Sequence, residues 1–248
     1  MKSACIVEAR MRSTRLPGKT LMPILGKPML ALLVERLKAA KGVDDVILAT
    51  TVDPSCDPIE AFAREAKISC FRGSEDDVLG RVLGAAQAFG VDVIVETTGD
   101  NPLLDARTIE ACLSAYRQGD VDYVSNVLEP TYPVGICAQV FSTKLLAEVD
   151  TRTNEPHHRE HVSLYMYEDR SRYRLRNVAS GLPRDAAKIR LTVDTKEDFA
   201  VVERVFEAIY PKNPAFGLDD ILAFFARNPD VARLNEHVKQ KPAQPEAT

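Results

Sequence analysis

The sequence predicts an α/β fold, a mostly parallel central sheet with helices on both faces. Three observations carry this expectation. Short apolar runs alternate with amphipathic helical patterns through the first half of the chain. The links between them are short. A long arginine-rich loop follows the first apolar run, where open α/β sheets bind their ligands.

Ala4-Cys5-Ile6-Val7 reads as a buried first strand. The loop at 9–19 then carries Arg10, Arg12, Arg15 and Lys19. Cationic side chains and backbone N–H groups in a Gly/Ser/Pro loop suit a polyphosphate, whereas the plainer alternative is a solvated basic loop. Gly18-Lys19-Thr20 is similar to the end of a Walker A loop. That motif needs Gly where Ser13 stands, and Pro23, Gly26 and Pro28 would break a helix opening at Lys19, so a P-loop NTPase is excluded.

Pro28 suits the first position of a helix that places Met29, Leu30, Leu33, Leu37 and Ala40 on one face. Residues 46–49 form a second buried strand. Asp57 can cap a helix with Pro58 at its first position, and 68–71 is a third strand. Ser74 to Asp77 has capping-box spacing and opens a helix with Val78, Leu79, Val82, Leu83, Ala86 and Phe89 inward. The fourth strand, 91–97, ends in Thr98-Gly99-Asp100-Asn101-Pro102. A helix at 106–117 and a strand at 123–125 follow. This alternation puts the loops at 9–19, 72–77 and 98–102 on one edge of the sheet.

The pattern changes near Leu128, where Pro130, Pro133 and Gly135 mark an irregular segment. A strand at 138–141 leads into a helix capped by Ser142, and Asn154 can cap another with Pro156 in its first turn. Residues 173–178 alternate as a strand, with an antiparallel neighbour as one option. Residues 188–193 read as a strand ending at Asp194. Thr195 and Asp198 form a capping box that opens a helix through Ile209, and two short helices near 219–227 and 230–237 close the chain. The expectation is a single domain over 1–238, with 128–178 as an excursion from the sheet and a disordered tail at 239–248.

The chain has 248 residues, 45% of them hydrophobic, enough for a proper core. A net charge of −4 gives no global field for nucleic acid, so any anion site must be local. Cys5, Cys56, Cys70, Cys112 and Cys137 are dispersed without a CxxC pair, which suggests reduced thiols and a cytoplasmic setting. No run has the length of a membrane span. Glu8 and Arg10 interrupt the first apolar run, so a signal peptide is not expected.

Asp100 and Asp194 each end an apolar run. Two carboxylates meeting at one sheet edge would suit Mg²⁺ carrying substrate phosphates; the alternative is that each caps a neighbouring turn. His157-His158-Arg159-Glu160-His161 matches the H-x-x-E-H pattern of a zinc hydrolase. A third ligand is missing, and Pro156 puts the first histidine in a fraying turn, so that reading is set aside.

Together these motifs resemble the cytidylyltransferases of spore-coat polysaccharide biosynthesis and the wider group that makes CMP-sialic acid and CMP-KDO. The resemblance rests on the loop 9–19, on Phe71-Arg72-Gly73-Ser74-Glu75-Asp76-Asp77-Val78-Leu79, on Thr98-Gly99-Asp100-Asn101-Pro102-Leu103, on Arg159-Glu160-His161-Val162 and on Leu191-Thr192-Val193-Asp194-Thr195, in matching order. It implies a Rossmann-like nucleotide-diphospho-sugar transferase fold and transfer of CMP from CTP to an acceptor such as a sugar acid, with pyrophosphate leaving. Arg10, Arg15 and Lys19 would be the catalytic cations. Ala9, Ser13, Arg72, Ser74 and Thr98 would join them in binding the nucleotide, and Asp100 and Asp194 would hold Mg²⁺. Tyr132, Gln139, Arg159, Glu160 and His161 would contact the acceptor, and the excursion would also supply a homodimer contact. The sequence departs from the family pattern at 133–141, where relatives usually carry acids at about the places of Val134, Cys137 and Gln139. This departure leaves the acceptor open. It keeps a catalytically silent nucleotide-binding homologue as an alternative, beside a glycosyltransferase on a similar fold.

Overall fold

The computed structural model describes residues 1–240. The disordered tail expected at 239–248 lies outside those residues except for its first two, Lys239 and Gln240. The chain begins with strand β1 (Ser3–Glu8), then the basic loop and a 3₁₀ turn at Lys19–Leu21. A small hairpin of β2 (Pro23–Ile24) and β3 (Lys27–Pro28) leads into helix α1 (Met29–Lys38). Strand β4 (Asp45–Thr51), α2 (Asp57–Glu65), β5 (Ser69–Gly73), α3 (Val78–Ala88), β6 (Val93–Thr98), α4 (Ala106–Arg117) and β7 (Tyr123–Ser125) continue the alternation. Then come β8 (Gln139–Ser142), α5 (Thr143–Arg152), the short α6 (Pro156–Glu160) and α7 (Leu164–Tyr167), and β9 (Leu175–Asn177). Helices α8 (Lys196–Ile209), α9 (Leu218–Arg227) and α10 (Pro229–Arg233) complete the described fold.

Seven strands form one sheet in the order β5-β4-β1-β6-β8-β7-β9, and only β8 runs against the rest. The period-2 alternation of β1 explains the layering. Cys5 and Val7 face a core built with α1, α2, α4, α8 and α9, while Ala4 and Ile6 face a second core built with α3 and α5. The chain moves outward from β1 to β4 and β5, then returns to the other side of β1 with β6. The loops leaving β1 and β6 therefore diverge, and a crevice opens between them at the carboxyl edge.

The segment at 128–178 differs from its expectation, because β8 and β9 belong to the same sheet. β8 reverses direction to sit between β6 and β7, and β9 extends the edge parallel to β7 rather than antiparallel. The expected strand at 188–193 is also absent from the sheet. Its first residue, Lys188, ends a 3₁₀ turn (Arg184–Lys188), and a single parallel bridge joins Arg190 to Val134. The stretch runs extended, and its backbone bonds go to irregular partners. Leu191 N donates to Val134 O at 2.7 Å, and Val193 N to Asp100 O at 2.8 Å. Gly135 permits that approach, with φ at 97° and no room for a Cβ, which would lie 2.4 Å from Thr192 N. The capping box expected at Ser74 is shifted. Asp77 caps α3 through Gly80 N at 2.9 Å, and Ser74 Oγ accepts from Asp77 N. The Thr195–Asp198 box is present as expected. Among the described residues, no helix is long and apolar enough to cross a membrane.

Candidate active site

A cleft of about 870 Å³ occupies the crevice between the β1 and β6 loops, a volume typical of small-molecule sites. The basic loop forms one wall. It folds back on itself: Gly18, at φ 74°, donates to Met11 O at 3.0 Å, and Thr20 Oγ1 donates to Arg10 O at 3.0 Å. This turn brings Arg10, Ser13, Arg15 and Lys19 to the cleft, with Ala9 at its base and Thr98, Gly99 and Asp100 opposite. Arg12 points outward and pairs with Asp53 at 3.1 Å.

Asp100 and Asp194 do meet, although they are 94 residues apart in sequence. The buried Lys19 ammonium lies between them, 2.9 Å from Asp100 Oδ2 and 3.0 Å from Asp194 Oδ1, and it also donates to Val193 O at 2.5 Å. Three oxygens thus surround one cation, which offsets the cost of taking the ammonium out of water. Arg15 adds a contact to Asp194 at 2.9 Å, and the buried Arg190 another at 2.6 Å. Burial pushes the Asp194 carboxyl up. The charges of Lys19, Arg15 and Arg190 outweigh burial and hold it below the ordinary carboxylate value. Thr98 Oγ1 donates to Asp100 Oδ1 at 2.5 Å, and Asn101 holds that hydroxyl in turn. Behind Asp194, fully buried Asp198 accepts from Arg190, from Asn235 and from the backbone of Asp194 and Thr195. Gln240 lines the cleft and accepts from Arg190 Nη1.

The donor set suits a hard divalent cation. Two carboxylates and a carbonyl already converge on one positive charge, and oxygen donors of this kind match Mg²⁺ or Mn²⁺. Zinc coordination at the histidines does not fit. His157, His158 and Glu168 do cluster, but both ring nitrogens of His158 are engaged, with Thr153 Oγ1 and Glu168 Oε1 at 2.8 Å each.

Glu160 and His161 line the cleft, as does His157. Other expected contacts lie outside it. Arg72 is committed to Thr51 O, Asp53 O, Asp57 and Glu60, where it ties the end of β5 to α2. Ser74 holds the turn before α3. Tyr132 packs against the core. Arg159 binds Asp77 and Asp150 and so locks α6 to α3 and α5. Gln139 donates to Glu96 Oε1 at 3.1 Å while accepting from Ser163 and Tyr123.

Several cleft residues fall outside the set expected from the sequence, two of them charged and deeply placed. Glu8 and Arg81 line the cleft, and Cys137 lies beside them with its thiol pushed up by burial and nearby acids. The β1–β6 register sets Glu96 opposite Ile6, which puts Glu96 on the same sheet face as Glu8. Burial pushes Glu8 up to about 7 against the pull of Arg81. Burial and the charge of Glu8 push Glu96 well above the ordinary range. Burial and mutual repulsion thus favour the protonated form of both acids, and Glu8 Oε1 and Glu96 Oε2 are buried without a hydrogen-bond partner. Acidic character at this end of the cleft comes from β1 and β6, not from 133–141.

A doubly wound sheet with a phosphate-suited cationic loop and a paired carboxylate site at its switch point defines a nucleotide-binding α/β transferase. The chain belongs to the cytidylyltransferase family, whose model matches residues 4–223, and it is a nucleotidyltransferase. It is 33% identical over 238 residues to the spore coat polysaccharide biosynthesis protein SpsF of Bacillus subtilis, covering 93% of this chain and 97% of that protein. It is similar to the structure of a cytidylyltransferase from Leptospira borgpetersenii, with a TM-score of 0.88 and 30% identity over 98% of this chain and 99% of that one. A CMP:2-keto-3-deoxy-manno-octonic acid synthetase complexed with CTP shares the fold, with a TM-score of 0.63 and 20% identity, covering 84% and 99% of the two chains.

Proposed function

We propose that the protein transfers CMP from CTP to a hydroxyl of a sugar acid or related small acceptor, with release of pyrophosphate, in the cytoplasmic assembly of a surface polysaccharide. The observation that carries this reading is the Asp100–Lys19–Asp194 cluster beside Arg10 and Arg15 in one cleft. Nucleotidyl transfer needs positioning and charge neutralisation more than a side-chain nucleophile. Arg10, Arg15 and Lys19 would hold the triphosphate and offset charge on the departing pyrophosphate, while Ala9, Ser13 and Thr98 border the nucleotide. Asp100 and Asp194 would hold Mg²⁺, which when bound neutralises phosphate oxygens. Glu160 and His161 stand at the acceptor end, with His157 beside them. Arg72, Ser74, Tyr132, Gln139 and Arg159 act by shaping the walls behind these groups. A homodimer formed through the 128–178 segment would complete the assembly.

The test is a coupled pyrophosphate assay with CTP, Mg²⁺ and a panel of sugar acids, amino-substituted sugar acids and neutral sugars. Release that needs both CTP and one acceptor class is expected. Release of a nucleoside diphosphate from a nucleotide sugar would establish a glycosyltransferase instead. CTP binding without turnover on any acceptor would mark a silent homologue.

A further inference from the structure

Arg81, on the first turn of α3, is 3% exposed, yet it lines the cleft. Its Nη1 donates to the carbonyls of Ser74 and Glu75, the second at 3.3 Å. Its Nε is buried without a hydrogen-bond partner. Among the described residues the guanidinium forms no salt bridge, and its Nη2 makes no hydrogen bond. One edge of the group is therefore spent on the 74–75 turn, and the Nε–Nη2 edge is bare.

A buried charge without a partner is costly, and proteins keep one where a ligand completes it. The neighbours deepen the deficit. Arg10 lies near enough to raise the cost of the Arg81 charge, and Glu8, the acid that offsets it, is itself pushed toward its neutral form. Two parallel N–H groups on a planar edge match two oxygens of a phosphate or a carboxylate. We propose that the Nε–Nη2 edge of Arg81 binds an anionic oxygen group of the substrate, either a phosphate of the nucleotide or the carboxylate of the acceptor. This assignment rests on the nucleotidyl-transfer reading and adds an anion contact on the α3 side, separate from Arg10, Arg15 and Lys19.

The experiment compares wild type, Arg81→Met and Arg81→Lys by calorimetry and thermal melting. The probes are cytidine, CMP, CTP with Mg²⁺, and 3-deoxy-manno-octulosonate in the presence of CMP. If the partner is a phosphate, Arg81→Met weakens CMP and CTP about 10- to 100-fold and leaves cytidine unchanged, the size expected for charged hydrogen bonds. If the partner is a carboxylate, the nucleotides bind as in wild type and the acid loses a similar factor. Arg81→Lys keeps a charge without the planar edge and recovers at most part of the loss. Binding of every probe within twofold of wild type in Arg81→Met overturns the proposal. So does full recovery in Arg81→Lys. A lower melting temperature with unchanged ligand-induced shifts overturns it too, because Arg81 would then only pin the 74–75 turn. A wild-type protein that binds no nucleotide refutes the nucleotidyl-transfer reading and this assignment together.

Discussion

Replacing Lys19 by Met keeps most of the side-chain volume and removes the ammonium from between Asp100 and Asp194. The three oxygens that met it at 2.5–3.0 Å lose their cation. Breaking a buried pair by removing one partner costs about 3–5 kcal/mol. The Asp100 side chain is 28% exposed and Asp194 keeps Arg15 and Arg190, so the cost falls to the bottom of that range or just below it, about 2–3 kcal/mol. In a chain of this length that lowers the melting temperature by roughly 4–12 °C. A divalent cation can then take the vacated position. At 100 times its dissociation constant it restores about 2.7 kcal/mol, enough to cancel the loss. Wild type, whose own ammonium competes, should gain less from the metal alone. The assay is thermal melting of both proteins at increasing MgCl₂ or MnCl₂ without nucleotide. Equal metal-dependent shifts in the two proteins would refute the claim that Lys19 occupies the cation position.

Two further outcomes follow from the surrounding network. Asp198→Asn removes one of the two carboxylates that face the buried Arg190, leaving Asp194, and should cost about 2–3 kcal/mol, read as a fall of about 4–12 °C in melting temperature; a loss under 1 kcal/mol would deny Asp198 its anchoring role. Glu8 has a folded pKa raised to about 7 from an ordinary 4.5, so the folded state keeps a proton that the unfolded chain releases. Its stabilising contribution is complete below about 4.5 and is lost as pH rises through 7, and Glu8→Gln should flatten this slope by on the order of 3 kcal/mol between pH 4.5 and 8. Parallel pH–stability profiles for the two proteins would contradict the raised pKa of buried Glu8.

The alternation from β1 to β7 was legible because each strand is a short apolar run and each helix carries an apolar stripe with a cap or a proline at its start. The 188–193 stretch misled because Ile189, Leu191 and Val193 alternate as they would in a sheet. Their backbone partners are instead the irregular turn at Val134 and the end of the β6 loop, and sequence periodicity cannot report partners. The meeting of Asp100 and Asp194 could be anticipated from apolar runs that end in acids. The ammonium between them could not, since it depends on how the basic loop folds over Gly18. Glu8 and Glu96 come together only through the parallel β1–β6 register, which no local pattern encodes. Arg72 drew attention as a cation in a family motif, yet its carbonyl and carboxylate partners at 51–60 use it structurally. Arg81 was detectable in principle, as a charge at the margin of the apolar stripe formed by Val78, Leu79, Val82 and Leu83.

The most direct test of the central claim is thermal melting with CTP, UTP, ATP and GTP, each with and without Mg²⁺. The account predicts a stabilisation of roughly 5–10 °C at saturating ligand, largest for CTP and dependent on Mg²⁺. A larger shift with another nucleotide would contradict the cytidine assignment, and no shift with any nucleotide would contradict the reading of the cleft as a nucleotide site.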